Sequence, residues 1–252
     1  MTDPQTLTDH DVAAHVADQA GRLLVEMRAD RADLEGRELK DHGDRVAHDR
    51  IMALLGELRP DDAVLSEEGA DDARRLSAPR VWIVDPLDGT REFSERPRDD
   101  WAVHVALWQG GTLVAGAVAL PARALVYRMD APAALPERPD GPVRLAVSRS
   151  RPPEFVVELA GRLGAELTPM GSAGVKAMAV LDGTVDAYVH AGGQYEWDSA
   201  APVAVAIGHG LAPTRVDGSP LEYNREKPYL PDLVVARPEV LDELRAALDS
   251  LG

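Results

Sequence analysis

Cysteine is absent from this sequence, and aromatic residues are scarce. The 252 residues include no Cys, and Phe, Trp and Tyr together make up 4% of the chain. Without thiols, the protein has neither disulfide bonds nor thiolate metal sites. No uninterrupted apolar run approaches the roughly 18 residues that a membrane span requires. These absences exclude a disulfide scaffold and argue against a membrane protein.

An excess of positive charge is also missing. Asp and Glu number 43 against 27 Lys and Arg, which gives a formal net charge of −16 at pH 7. Such a charge disfavours broad binding to nucleic acid or to anionic membranes. A phosphorylated ligand can still bind, but only where metal ions or local cations reverse the field. We therefore expect a small-molecule partner, with no nucleic acid and no membrane.

The N-terminal segment Met1–Asp11 is polar and acidic. It has neither the basic start nor the apolar core of a signal peptide. Together with the lack of cysteine, this predicts a soluble cytoplasmic protein. At 45% hydrophobic residues the chain can bury a substantial core, and its length permits one large domain or two small ones.

One stretch carries most of the chemical information. Val81–Val84 is an apolar run of strand-forming residues, and Asp85-Pro-Leu-Asp-Gly-Thr90 follows it directly. Carboxylates at the end of a strand bind hard cations such as Mg²⁺, and free N–H groups at a helix start bind phosphate. An ordinary turn after a strand is the simpler interpretation. The whole stretch favours a metal-assisted phosphate site.

Hydrophobic periodicity predicts two helices at the start of the chain and strands after them. A capping box at Thr8 opens the first helix, Asp9–Met27, and the second helix begins near Asp44. The polar residues between them, Arg28–Gly43, indicate a loop or a weak hairpin. Short apolar runs then predict a mainly antiparallel sheet, with strands at 63–65, 81–84, 101–108, 112–120 and 125–128.

The second half of the chain alternates strands and helices, which is typical of an α/β layer. Strands are predicted at 143–147, 167–170, 185–189, 211–216 and 233–236, and helices at 153–163, 174–181, 198–207 and 240–251. The segment Asp130–Pro142 has little pattern and is the best candidate for a domain boundary. We predict an N-terminal α+β domain, residues 1–130, and a C-terminal α/β domain, residues 143–252, which share a cleft.

Further acidic residues lie at predicted strand ends or helix starts. Asp44 and Asp198 can be simple helix N-caps, and Glu67-Glu68 can be a solvated charge pair. Carboxylates from separate loops can also hold two metal ions about 3.5–4 Å apart, which bind the attacking and leaving oxygens of an in-line displacement. Their occurrence together with the 85–90 stretch favours this second interpretation.

These motifs resemble those of the inositol monophosphatase-like superfamily of metal-dependent phosphatases. Trp82-Ile-Val-Asp-Pro-Leu-Asp-Gly-Thr90 matches the specific W-I-x-D-P-[IL]-D-G-T element, and Ser66-Glu-Glu68 matches an upstream acidic element. Gly171-Ser-Ala173 and Glu196-Trp-Asp-Ser-Ala-Ala201 match two downstream elements. The resemblance implies a layered α-β-α-β-α sandwich of the inositol monophosphatase/fructose-1,6-bisphosphatase type, with the active site in the cleft between its two halves.

The resemblance also implies roles for individual residues. Two or three Mg²⁺ ions would be bound by Glu67, Asp85, Asp88, Asp198 and the backbone carbonyl of Leu87. Gly89 and Thr90 would bind the scissile phosphate through backbone N–H groups, and Thr90 would orient the attacking water together with an upstream aspartate. The family's V-T-x-A-D element is replaced here by Lys40-Asp-His-Gly-Asp44. Asp44 is therefore the expected aspartate, and Asp49 is the alternative.

Within the superfamily, the chain is most similar to CysQ-type 3′(2′),5′-bisphosphate nucleotidases, particularly those of actinobacteria. The similarity covers residues 85–93, 98–104, 171–178 and 218–224. It implies hydrolysis of the 3′-phosphate of 3′-phosphoadenosine 5′-phosphate (PAP), with the sulfated relative PAPS as a second substrate, in sulfur assimilation or nucleotide salvage.

A bisphosphorylated substrate needs positive charge beyond the metal ions. Arg91 and Lys176 are the candidates for that charge, and Ser172 is a further substrate contact. Arg91 can instead pair with a neighbouring glutamate, and Lys176 can be a solvated helix lysine. Tyr223 can stack on a base or simply pack a turn.

Rival functions remain open. An inositol monophosphatase or a fructose-1,6-bisphosphatase has the same fold, and a non-catalytic phosphate or nucleotide binder is the alternative of another class. Assembly as a homodimer is compatible with the resemblance.

Overall fold

Two long helices form the first layer of the structure, a computed structural model that describes residues 6–251. Residues 1–5 and 252 lie outside the described residues. They include part of the predicted N-terminal segment and the outer ends of the two predicted domains. Helix α1 (Asp9–Asp30) begins at the predicted capping box, in which the Asp11 N–H donates to Thr8 Oγ1 over 3.1 Å. Helix α2 (Gly36–Leu58) packs against α1.

The expected loop or hairpin at 28–43 is wrong, because α2 already begins at Gly36. Its buried stripe runs through Leu39, Gly43, Ala47 and Ile51 at a spacing of four residues. Only Leu39 signals this stripe before residue 47, since glycine usually marks a break rather than a packed helix face. Asp44 therefore lies in the interior of α2 and is neither its first residue nor its N-cap.

The first sheet contains five strands in the order in which they follow along the chain. They are β1 (Ala63–Ser66), β2 (Arg80–Asp88), β3 (Ala102–Gln109), β4 (Thr112–Leu120) and β5 (Leu125–Arg128). The strands pair antiparallel except β1 and β2, which run parallel because a connection containing a 3₁₀ turn (Ala73–Ser77) lies between them. A short helix, α3 (Thr90–Ser94), follows β2.

The second sheet has the strand order β7-β6-β8-β9. Its strands are β6 (Arg144–Ser148), β7 (Glu166–Met170), β8 (Ala187–Tyr195) and β9 (Tyr229–Ala236), and the helices of this half are α4 (Glu154–Leu163), α5 (Ala173–Leu181), α6 (Glu196–Gly208) and α7 (Pro238–Asp249). The predicted strand at 211–216 is wrong, since only an isolated bridge joins Thr214 to Val234. Pro213 has no N–H to donate, and the Val216 N–H donates to the Asp232 side chain instead of a strand.

Three hydrophobic cores stack these elements into five layers. One core lies between α1, α2 and one face of the first sheet, and another joins the opposite face to α5, α6 and the second sheet. The third core packs α4 and α7 on the outer face of the second sheet. The expected α-β-α-β-α sandwich is confirmed. The division into domains 1–130 and 143–252 stays a prediction, because α5 and α6 pack against both sheets.

A close approach of helix and sheet positions α6. A Cβ atom added to Gly116 on β4 would lie 2.5 Å from the Cβ of Ala204 on α6. Only glycine therefore allows this separation between the two elements. The helix start, which carries Asp198, is held over the first sheet as a result. Of the helices described for residues 6–251, none has the length and apolar character needed to cross a bilayer.

Candidate active site

Three carboxylates converge where β2 ends. Asp85 and Asp88 come from β2, and Asp198 is the third residue of α6. One oxygen atom of each lies within 4.8 Å of the others. The strand bulges between Asp85 and Asp88, and Gly89, with φ of 87°, then turns the chain into α3. Sequence-distant acidic groups are thus brought together in one cluster.

The electrostatics of this cluster are unfavourable without a cation. Burial raises the pKa of Asp85 well above its ordinary value, and repulsion by Glu67 and Asp88 adds to the shift. Desolvation raises the pKa of Asp198 to about 6, with Asp88 as the main repelling charge. Buried carboxylates without a cationic partner suit a divalent ion, since hard oxygen ligands are those that Mg²⁺ prefers. The donor set therefore fits the predicted metal.

Glu67 lies beside the same cluster. It follows β1, and its N–H donates to the Val84 carbonyl over 3.3 Å, which holds it next to β2. The residue keeps contact with solvent, yet desolvation of its carboxyl raises the pKa to about 7, with repulsion by Asp198 adding to the shift. The Asp85 side chain is close enough to influence the same pKa. The structure therefore brings all four predicted metal-binding carboxylates together.

Asp88 differs from the other carboxylates in having two hydrogen-bond donors and a histidine around one of its oxygens. Its Oδ2 accepts hydrogen bonds from the Ser172 hydroxyl and from the Gly174 N–H, the latter over 2.7 Å. The Nε2 atom of His104 lies 3.2 Å from the same oxygen, an ion-pair distance without hydrogen-bond alignment. Burial opposes ionisation of Asp88, but His104 and Lys176 outweigh it and lower its pKa.

His104 and Gly174 are residues that the sequence interpretation missed. His104 is completely buried on β3, where the strand pattern indicates only a core residue. Its Nδ1 lies 3.1 Å from the carbonyl oxygen of Trp197, next to Asp198 in α6. A Cβ atom on Gly174 would lie 2.1 Å from His104 Nε2, so only glycine fits there. The signal available in the sequence was the polar residue His104 within an otherwise apolar predicted strand.

Asp44 lies in the interior of α2, which packs against the β2–α3 turn. Burial raises the pKa of its carboxyl to about 7, with repulsion by Glu68 and Asp41 adding to the shift, while the nearby Thr90 side chain opposes it. The close approach depends on Gly43, where a Cβ would lie 2.8 Å from Phe93 and 3.0 Å from Leu87. Asp49, the alternative aspartate, is exposed on the surface of α2.

The backbone of the β2–α3 turn is ordered by side chains. The Leu87 N–H donates to Asp85 Oδ1 over 3.0 Å, and the Thr90 hydroxyl donates to the Leu87 carbonyl over 3.1 Å. The Leu87 carbonyl is the backbone group that is predicted to bind a metal ion. Gly89 caps α3, and its carbonyl accepts a hydrogen bond from the Phe93 N–H over 2.9 Å. These hydrogen bonds hold the backbone of the turn in place.

The predicted phosphate-binding side chains have different surroundings. Arg91 is exposed, and no described residue forms an ion pair or a hydrogen bond with its guanidinium. The expected pairing with a neighbouring glutamate does not form, because Arg149 takes both Glu92 and Glu95, over 2.8 and 2.7 Å. Arg91 is free to contact a ligand.

Lys176 and Ser172 are buried. Lys176 is 7% exposed, and its Nζ donates to the Ser172 carbonyl over 2.5 Å, so it is not a solvated helix lysine. Its Nζ also lies 5.2 Å from the Tyr188 ring centre, and burial lowers its pKa. The Ser172 hydroxyl also accepts the Val175 N–H over 3.0 Å. Both side chains are engaged with the protein.

Two cavities open beside the carboxylates. A cleft of about 850 Å³ is lined by Asp88, Asp198 and Arg151, and a pocket of about 310 Å³ is lined by Asp198, Lys176 and Tyr195. Tyr223, by contrast, is buried, and its hydroxyl lies 3.2 Å from Ser199 Oγ. It therefore packs the turn and is not available for stacking on a base.

Comparison with known proteins gives a consistent result. A model of the inositol monophosphatase family matches residues 3–250. A 3′-phosphoadenosine 5′-phosphate phosphatase of Mycobacterium leprae is 51% identical over 93% of this chain and 91% of that protein. The 3′(2′),5′-bisphosphate nucleotidase CysQ of Escherichia coli K12 is 30% identical over 87% of this chain and 91% of that protein.

A solved structure shows the same fold. The crystal structure of CysQ from Bacteroides thetaiotaomicron, described as a bacterial member of the inositol monophosphatase family, superposes with a TM-score of 0.77. It is 29% identical in sequence, and the match covers 89% of this chain and 95% of that chain.

Proposed function

Because the chain belongs to the inositol monophosphatase family, we propose that it hydrolyses the 3′-phosphate of PAP to give AMP and phosphate. The observation that carries this proposal is the 51% identity to a PAP phosphatase over nearly the whole chain. The cluster of Asp85, Asp88 and Asp198 supports it, because a phosphatase of this kind needs closely spaced oxygen ligands.

The carboxylates of Glu67, Asp85, Asp88 and Asp198 and the Leu87 carbonyl would hold two or three Mg²⁺ ions. Bound there, Mg²⁺ neutralises charge on the phosphoryl oxygens and lowers the pKa of a water molecule. The metal itself is supported by the family and by the acidic cluster. The number of ions and the identity of each ligand belong to the proposal.

The remaining chemistry falls to residues of this chain. Asp44 and Thr90 orient the attacking water, and the Asp44 carboxylate accepts a proton from it, a role suited to a group with a pKa of about 7. The Gly89 and Thr90 N–H groups hold the phosphate in line with the attack. As the new P–O bond forms, the bond to the 3′-oxygen breaks and its electron pair stays on that oxygen. The 3′-oxygen takes a proton from solvent water to become a hydroxyl, and Asp44 returns its own proton to solvent.

The second phosphate of the substrate needs a cation outside the carboxylate cluster. Arg91 suits this role best, since its guanidinium is exposed and unpaired among the described residues. Lys176 is enclosed and bonded to the Ser172 carbonyl, so it adds positive potential at the base of the pocket beside Asp198 rather than a direct phosphate contact. Ser172 acts through Asp88. Cytoplasmic location and assembly as a homodimer stay predictions.

A substrate panel tests this function. With Mg²⁺ present, kcat/KM for PAP and PAPS should exceed that for inositol 1-phosphate and fructose 1,6-bisphosphate by at least about 100-fold, a transition-state difference of about 2.7 kcal/mol. Faster phosphate release from either of the last two would assign one of the rival activities. Binding of PAP without any phosphate release would instead support a non-catalytic nucleotide binder.

A further inference from the structure

Two largely exposed aromatic rings meet beside the carboxylate cluster. The chain has 2 Phe, 4 Trp and 5 Tyr, and within residues 6–251 only Tyr195 and Tyr229 among them are largely exposed, at 49% and 53%. They form a cross-strand pair between β8 and β9, and their ring centres are 6.3 Å apart. Both line the pocket of about 310 Å³ that Asp198 also lines.

A bulge in β8 directs these rings toward the pocket. The pairing of β8 with β9 shifts between Ala191 and Gln194, where Gly192 and Gly193 have φ values of 112° and 87°. The Tyr229 hydroxyl lies against the Gly193 backbone. A Cβ atom added to Gly193 would be only 2.1 Å from this hydroxyl oxygen. His190 Nε2 fixes the bulge by donating to the Gly193 carbonyl over 2.9 Å. Bulges of this kind commonly re-aim side chains next to active sites.

The Tyr195 ring is held by a neighbour that leaves part of its surface open. Trp197 stacks on it with ring centres 4.7 Å apart and planes inclined by 6°. This contact restricts the tyrosine to one orientation, while about half of the residue stays accessible. A rigid, accessible aromatic ring of this kind is a stacking platform for a planar ligand.

An unsatisfied donor lies in the wall of the same pocket. Gln194 lines the pocket and is 7% exposed, and no described residue forms a hydrogen bond with its buried Nε2 atom. A buried amide donor without a partner is unfavourable, so such groups in native structures commonly meet a ligand or an ordered water. A glutamine side chain in this position can donate to a ring nitrogen of a purine.

We infer that this pocket binds the nucleobase of the substrate, with Tyr195 and Tyr229 as the stacking surface and Gln194 as the hydrogen-bond donor to the base. The inference rests on the proposed function in that it names the part of a nucleotide substrate held next to the scissile phosphate. An aromatic base satisfies both the exposed rings and the amide, whereas a polyol such as inositol offers no face for stacking. The pocket volume falls in the usual range for small-molecule sites.

Calorimetric binding of AMP and ribose 5-phosphate, measured in Mg²⁺, tests the inference without turnover. The two ligands share the sugar and the 5′-phosphate, so the ratio of their dissociation constants reports the contribution of the base. The wild type should bind AMP at least about 10-fold more tightly than ribose 5-phosphate. Tyr195→Ala and Tyr229→Ala should each weaken AMP about 10-fold and leave ribose 5-phosphate within about twofold.

Companion variants separate stacking and hydrogen bonding from damage to the fold. Tyr195→Phe keeps the ring and should retain the AMP preference, whereas Gln194→Met removes the donor and should weaken AMP about fivefold. Ile207→Ala, a substitution of an exposed residue in the last turns of α6, should change neither ligand.

Equal binding of AMP and ribose 5-phosphate by the wild type would overturn the inference, as would an unchanged ratio in both tyrosine-to-alanine variants. Phosphate release from PAP is measured on the same wild-type sample. If PAP is hydrolysed but the ratio of dissociation constants for AMP and ribose 5-phosphate is unchanged in the variants, the proposed function is supported and the base pocket is contradicted. A base-dependent ratio without PAP hydrolysis supports the pocket and contradicts the catalytic proposal.

Discussion

The aspartates at the end of β2 lie three residues apart but have opposite electrostatic surroundings. Asp85 is buried among other carboxylates, and its pKa is raised. Asp88 receives hydrogen bonds from Ser172 and Gly174 and faces His104, and its pKa is lowered. One oxygen of Asp88 is therefore tied to the protein, which holds the carboxylate ionised and in a set orientation. Placement of ligand side chains by such surrounding contacts commonly governs metal affinity.

Asp44 and Asp49 permit a matched test at the residue scale. Asp44→Asn removes the carboxylate that lies near Thr90 and should lower kcat about 100-fold or more with little change in KM, because proton acceptance and water orientation act in the transition state. Asp49→Asn, on the exposed surface of the same helix, should keep near-normal kcat. Steady-state kinetics with PAP measure both. Similar losses in the two variants would remove Asp44 from the mechanism.

At the scale of single elements, helix α5 and strand β3 are packed without room for another atom. Gly174 lies in the first turn of α5, its N–H donates to Asp88, and His104 of β3 occupies the space where a side chain would be. Helix α5 thus positions, through its backbone, a carboxylate that we propose binds metal, and glycine makes this approach possible.

Glycine-to-alanine substitutions in two helices test this packing. Gly174→Ala should lower the free energy of unfolding by about 1–3 kcal/mol, because its methyl group collides with His104. It should also reduce activity by displacing His104 from Asp88. Gly161→Ala in α4 is the control, since a Cβ there meets nothing within 4 Å and should stabilise the helix by about 0.5–1 kcal/mol. Urea unfolding and kcat/KM measure both effects, and equal stability of the two variants would contradict this account.

At the scale of the whole molecule, the fold holds together a charge cluster that is unfavourable by itself. Glu67 directly follows β1, Asp85 and Asp88 lie on β2, and Asp198 lies on a helix that packs between the two sheets. In the absence of metal, folding brings these like charges into a buried site. A divalent cation that binds only the folded chain should therefore stabilise the whole protein.

The pH dependence of unfolding tests this whole-molecule coupling. Folding raises the pKa of Glu67 from 4.5 to about 7 and that of Asp198 from 3.8 to about 6. The folded state therefore binds more protons than the unfolded state in this range. The contribution of these groups to the unfolding free energy must rise as the pH falls from about 8 to about 5.

In EDTA, the wild type should gain stability relative to Asp198→Asn as the pH is lowered, since the variant lacks one of the titrating charges. Addition of Mg²⁺ should raise the melting temperature of the wild type more at about pH 8 than at about pH 5.5, because protonated carboxyl groups bind the cation poorly. Thermal unfolding by circular dichroism measures both. Identical pH profiles for wild type and variant would show that the cluster does not control stability.

Local patterns were sufficient for several features of this protein. The capping box of α1, most strands and helices and the acidic motif after β2 follow from neighbouring residues, because helix caps, strand periodicity and turn chemistry are local interactions. The motif and its partners also indicated the family, which implied the five layers. Errors arose where local signals were weak, as at Gly36–Gly43, where a polar helix segment whose packed face includes a glycine resembles a loop, and at 211–216.

The meeting of distant residues was decided only by the tertiary structure. His104 and Gly174 look like core positions in the sequence, and Tyr195 and Tyr229 lie outside the predicted strands 185–189 and 233–236, which in the structure extend to them. Their relation to Asp88 and to the pocket depends on the register of β8 with β9, the bulge at Gly192 and the spacing between α5 and β3. Such contacts join residues far apart in the chain, and no local interaction energy specifies them. The sequence by itself determined the carboxylates and the reaction class, whereas packing decided how those carboxylates are oriented and what surrounds them.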